Sequence, residues 1–255
     1  MTLVINPAVG HASGPYEALW YIEPYYEQVR DYLLARGRLH AYLHRGDAVR
    51  EKAWPALPSV TYVVAVGHGN TDVFTGYRLS YIFWVDMTEK GFRSEWARDR
   101  VFLMLSCLTA RRLGPWMVDS LGAWSYLGWD IPYTFVVYLG RRKGADWRAT
   151  PDRLFFDPVE EAFSRCATME YAPGECYDHI YRRYTEHLQN PHVPERWKAI
   201  IRADRDHMRL LGHRDHPPGV ARRVSALSLL AAAPIAALGG LIMGRESRRY
   251  GIKVF

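Results

Sequence analysis

Apolar positions in the first 140 residues fall into short blocks separated by helical periods. Residues 2–9, TLVINPAV, form a block that predicts a buried strand, closed by a Gly- and Pro-containing turn at 10–15. From Tyr16 to Arg36 the residues Leu19, Ile22, Tyr26, Val29, Leu33 and Leu34 recur at steps of three and four, the period of an amphipathic helix. Gly37 stands where a left-handed C′ residue belongs. RLHAYLH at 38–44 predicts a second strand, 48–54 a short helix stopped near Pro55 and Pro58, and 60–66 a third strand. The aromatic and β-branched stretch 73–86, broken at Gly76, predicts a hairpin, and 87–98 a short amphipathic segment. A fourth parallel strand is expected at 100–106, a helix over 109–121, and a further strand region in AWSYLGWDIPYTFVVYL.

Strands alternating with helices imply right-handed crossovers, hence an α/β fold with a mostly parallel sheet flanked by helices. The texture then changes. From Asp157 to Leu211 the pattern is helical throughout, with Asp157 as an expected N-cap and Pro158 at N1. After HRDHPPG, residues 225–244 carry no charge, with Arg222 and Arg223 before them and Arg245, Arg248 and Arg249 after. The expected organisation is an α/β catalytic domain at 1–156, a helical cover at 157–219 and an apolar C-terminal segment at 220–255. A membrane helix needs about 20 apolar residues, so 225–244 is a candidate anchor; its Ala, Gly and central Pro234 equally suit a soluble helical hairpin. No basic, apolar leader opens the chain, so the expected location is a cytoplasmic catalytic domain, membrane-anchored by its C-terminus if 225–244 spans.

Composition changes this picture little. About half of the 255 residues are apolar, enough for a full core, and the net charge of +6 comes from 28 Arg against 5 Lys, dispersed along the chain. Dispersed arginine without a nucleic-acid-binding motif gives no reason to expect a nucleic-acid partner. Five Asn and Gln in total fit a thermophile or a GC-rich genome. Cys107, Cys166 and Cys176 are too few for a disulfide scaffold; Cys166 and Cys176 read as inert thiols, with a bridge across the intervening turn as the alternative.

The chemistry concentrates where two apolar blocks end. VTYVVAV runs into Gly67-His68-Gly69, and RVFLMLS runs into Cys107. Ligands of open parallel sheets bind beyond the carboxyl ends of the strands. A histidine and a cysteine on neighbouring ends can therefore share one cleft, the imidazole as proton carrier and the thiolate as nucleophile toward a carbonyl. Small neighbours let a substrate approach, and the Gly69 N–H can face a developing oxyanion.

A hydrophobic block ending in His-Gly, then a second ending in Ser-Cys 39 residues on, resembles the caspase–gingipain–legumain clan of cysteine peptidases. RRLGPWMVDSLGAWSYLGWD after the cysteine is similar to gingipain-like and CHAT-type members. The resemblance covers about residues 1–140. It implies a caspase-like three-layer sandwich, Cys107 as nucleophile, His68 as general acid/base, and the Gly69 and Cys107 amides as oxyanion hole. LSCLT lacks the Gln-Ala and Gly of a caspase pentapeptide, so aspartate specificity is not implied.

Asp130 is a candidate for binding a basic substrate side chain at the mouth of the site, with a structural hydrogen-bonding role as the alternative. Asn70 and Asp72 are candidates for orienting His68. No phosphate loop, dinucleotide fingerprint or H-E-x-x-H occurs. His207, His213 and His216 with Asp206 and Asp215 match no zinc spacing, so neither a cofactor nor a metal is expected. The expected partner is a peptide or protein substrate, with oligomerisation open. The expected activity is that of a thiol endopeptidase, with a catalytically inactive scaffold of the same fold as the alternative.

Overall fold

A computed structural model of the chain describes residues 1–8, 17–138, 151–218 and 250–254. Five parallel strands make most of the central sheet: β1 (Thr2–Asn6), β2 (Leu39–His44), β3 (Tyr62–Val66), β6 (Val101–Leu105) and β7 (Ser125–Trp129). Their order is β2-β1-β3-β6-β7, and β9 (Met208–Gly212) closes the far edge antiparallel to β7. β1, β3 and β6 are buried along their whole length, as strands covered on both faces must be.

Side-chain alternation divides the core in two. Val63, Ala65, Phe102, Met104 and Tyr126 face one side, covered by α2 (Arg50–Ala56), α3 (Leu113–Asp119) and the hairpin β4 (Val73–Thr75)–β5 (Tyr81–Trp84). Tyr62, Val64, Val66, Leu103, Leu105, Leu127 and Trp129 face the other. That side is covered by α1 (Glu17–Ala35), α4 (Arg153–Ala167), α5 (Pro173–Gln189) and α6 (Glu195–Asp206). The result is an α/β fold of three layers with a mostly parallel sheet.

Local signals explain several boundaries. Gly37 takes φ +62°, and a paired closure ends α1: Gly37 N–H donates to Leu34 O and Arg38 N–H to Leu33 O, at 3.0 and 2.9 Å. Leu34, counted in the apolar stripe, is instead 63% exposed. The stripe needs only Leu19, Ile22, Tyr26, Val29 and Leu33, all buried.

Other expectations need correction. Residues 87–98 form two short 3-10 turns, Met87–Lys90 and Ser94–Trp96, rather than an amphipathic helix. The strand region after α3 is two strands, split at Asp130–Tyr133; β8 (Thr134–Tyr138) leaves the sheet and pairs antiparallel with β10 (Tyr250–Val254). Asp157 caps nothing: α4 begins four residues earlier, and Asp157 accepts from Arg153 Nε at 2.8 Å inside it. The helical pattern read through Leu211 stops at Asp206, because Met208–Gly212 pairs with the outer edge of β7, which β6 leaves open. The apolar stretch 225–244 lies outside the described residues. Among the described residues no helix is long and apolar enough to cross a membrane.

Candidate functional site

β3 and β6 are adjacent and in register, Val66 opposite Leu105, and the Gly67 N–H continues the ladder to Leu105 O at 3.3 Å. His68 and Cys107 each lie two residues beyond this last pair. Both therefore follow closely on the carboxyl ends of neighbouring parallel strands, which run about 5 Å apart. Gly67 and Gly69 make the junction tight. A Cβ on Gly67 would sit 2.8 Å from the Phe74 ring, and one on Gly69 would sit 2.6 Å from Thr109 Cγ2 and 2.9 Å from the Cys107 carbonyl oxygen. The loop carrying His68 thus rests directly on the loop carrying Cys107.

The His68 backbone is also tied to the hairpin. Its carbonyl accepts from the Thr75 N–H at 2.8 Å and from Thr75 Oγ1 at 3.0 Å. His68 as a whole is partly exposed. Asn70 and Asp72 have other tasks: Asn70 Oδ1 accepts from the Asp72 and Val73 amides at 2.8 and 3.1 Å, and Asp72 pairs with Arg112 at 2.9 Å. Among the described residues neither the Gly69 nor the Cys107 N–H enters a backbone–backbone hydrogen bond, and the Cys107 amide lies against its own sulfur.

Cys107 is 4% exposed and packs within the core on the α4–α6 side. Burial pushes its thiol up to about 12; the Tyr133 N–H facing the sulfur opposes this, and the nearby Asp204 carboxyl adds to it. The surrounding loop is fixed to the end of β7, with the Leu108 N–H on Ile131 O and the Ala110 N–H on Trp129 O, both at 3.1 Å. As it stands, the sulfur is a shielded thiol rather than a poised thiolate.

Asp130 lies on that same stretch, but its carboxylate is engaged. Oδ1 meets His207 Nδ1 and Oδ2 meets Arg209 Nη2, each at 2.8 Å, where α6 turns into β9. The other histidines of the 204–216 cluster disperse: His213 stacks on Trp124 with centroids 3.7 Å apart, and His216 Nδ1 is 3.4 Å from the Tyr62 hydroxyl. Among the described residues no group of three His, Cys, Asp or Glu could hold a metal ion. Cys166 and Cys176 are free and fully buried, with burial foremost and then contact with the Cys166 thiol raising the Cys176 thiol.

Two neighbours of Cys107 escaped the sequence reading. Tyr133 sits in the stretch AWSYLGWDIPYTFVVYL, expected as one strand region, and Asp204 stands among the many charges of α6, ERWKAIIRADRD. Asp204 is fully buried, and burial raises its carboxyl well above the usual range. Its only local clue is its spacing from Ile201, three residues earlier, which also lies in the core. No known protein family matches the chain, and no curated protein matches it.

Proposed function

We propose that the protein is a cysteine endopeptidase of the caspase-like clan. The supporting observation is that His68 and Cys107 each follow by two residues the last paired position of adjacent parallel strands, with Gly69 seated against the cysteine carbonyl. In this reading His68 first takes the proton of the Cys107 thiol, the resulting thiolate attacks the peptide carbonyl carbon, and the Gly69 and Cys107 N–H groups receive the resulting oxyanion. His68 delivers a proton to the leaving amine as the C–N bond breaks and a thioester remains. Water, deprotonated by His68, then adds to the thioester; the acid leaves and the thiol is restored. Each residue type suits its step, since imidazole titrates near neutrality and sulfur is a strong nucleophile once ionised.

The second reading, a scaffold of the same fold without catalysis, is favoured by one specific observation: the burial of the Cys107 thiol, which favours its protonated form. A library of peptidyl acyloxymethyl ketones varying the P1 side chain separates the two. The peptidase reading expects probe on Cys107, lost in Cys107→Ala and strongly reduced in His68→Ala, together with turnover of the matching peptide. Modification of Cys166 or Cys176 alone, or none in folded protein under any condition, supports the scaffold.

A further inference from the structure

We propose that Asp204 is a positioning residue that clamps residues 131–134 over Cys107 and keeps the thiol closed, so that access to the nucleophile requires release of this clamp. The consequence for catalysis rests on Cys107 being the nucleophile, whereas the clamp itself does not.

Two consecutive amides connect the residues. The Tyr133 N–H faces the Cys107 sulfur, and the next N–H, that of Thr134, donates to Asp204 Oδ1 at 3.2 Å. Asp204 is itself fixed through its own backbone, whose carbonyl accepts from Trp129 Nε1 at 2.8 Å at the end of β7. Its carboxyl is 0% exposed and forms no ion pair, and Oδ2 has no hydrogen-bond partner among the described residues. A buried carboxyl with one oxygen on a backbone amide and the other unmatched is costly to keep for packing alone. An apolar residue would fill the same space more favourably, but it would leave the Thr134 amide unanchored.

The rest of the segment is held in ways that cooperate with this contact. Ile131 O accepts from the Leu108 amide, immediately after the nucleophile. The Tyr133 hydroxyl lies 2.9 Å from Phe155 O and 2.8 Å from the Tyr184 hydroxyl, which is itself 2.8 Å from Phe155 O. The ring of Tyr133 is thus anchored in the helical layer, and its backbone is pinned beside the sulfur by Asp204. Moving α6 relative to β7 would free the Thr134 amide and uncover Cys107 without breaking the sheet.

The test is iodoacetamide labelling of the full-length protein under native conditions, with the modified cysteines mapped, for wild type, Asp204→Ala and Asp204→Asn. Loss of a buried acceptor should raise the Cys107 rate about tenfold or more in Asp204→Ala. Asp204→Asn should stay slow, because its amide oxygen can accept the same N–H. Cys166 and Cys176, fully buried on the same side of the sheet, report general loosening and should remain protected in all three proteins. An unchanged Cys107 rate in Asp204→Ala, equal acceleration in Asp204→Asn, or acceleration of all three cysteines together overturns the clamp. If Asp204→Ala does not fold, amide exchange in the wild type decides: slow exchange at Thr134 supports the clamp, and exchange at the rate of an open chain removes it. Labelling needs no turnover. A released but inactive Cys107 therefore leaves the clamp and removes the peptidase, while turnover with unchanged labelling does the reverse.

Discussion

Gly69 and Ser106 are in such close contact that a methyl group on Gly69 would overlap the Ser106 hydroxyl oxygen. That contact locks the turn after β3 onto the turn after β6. Gly69→Ala should therefore separate the two loops and cost about 1–3 kcal/mol, as overpacking does. Urea unfolding measures the loss. Wild-type stability in Gly69→Ala would mean that the loops can part freely, and would weaken the case for a shared site.

The Cys107 thiol, pushed up to about 12 by burial, holds its proton more firmly in the folded protein than in the unfolded chain. Its contribution to stability is thus present below the free-thiol range and is lost as pH rises through the folded value. Cys107→Ser should flatten the alkaline limb of a stability-versus-pH curve. Below that limb, alkylation of folded wild-type Cys107 should keep rising with pH past 9 rather than level off. A plateau between pH 7 and 8 would show a thiolate already formed.

Glu23 behaves in the opposite sense. Its hydrogen bond with His44 Nε2, at 2.9 Å, leads the effects that hold its carboxyl below the usual range, with burial opposing and Arg45 helping. That stability is present above the unfolded carboxyl value and lost as pH falls through the folded one. Glu23→Gln should be less stable than wild type near neutrality and converge with it in acid. Parallel curves would show that the pairing contributes nothing.

Asp130 pairs with His207 and Arg209 in a partly solvated setting, where such bridges contribute about 1 kcal/mol or less. Asp130→Asn should lower stability slightly and leave any preference for basic P1 probes unchanged. A lost preference would return Asp130 to the substrate-binding role.

The strands β1, β3 and β6 were legible because burial on both faces writes them as unbroken apolar runs. The ends of those runs at His68 and Cys107 were legible for the same reason. β9 was not. MRLLG follows a helical period without a break, and what makes it a strand is the open edge of β7, a partner some 80 residues away in sequence. The split between β7 and β8 was hidden because Tyr133 and Phe135 are as apolar in helix-covered core as they would be in a sheet. Asp204 was hidden because a carboxylate among arginines reads as solvated, and its burial depends on the docking of α6 against β7 and Tyr133.

Removing everything after Gly219 takes away β10, the one strand paired with β8 among the described residues. A chain ending there should lose stability and label faster at Cys107, since Thr134 begins β8. Equal labelling of both chains would show that the 131–134 segment is held without β10.

The β8–β10 pairing also bears on the uncharged stretch 225–244. Before it, Asp215 O accepts from Trp124 Nε1 at 2.7 Å; after it, Tyr250 pairs in register with Tyr138 in the β8–β10 ladder. Both flanks are thus fastened to one folded body. A tether with both ends on the same side of a bilayer crosses it an even number of times, and twenty residues suffice for about one crossing. A single-pass anchor and the β8–β10 ladder are therefore mutually exclusive. A chain crossing a bilayer once between Asp215 and Tyr250 would have to give up the β8–β10 ladder.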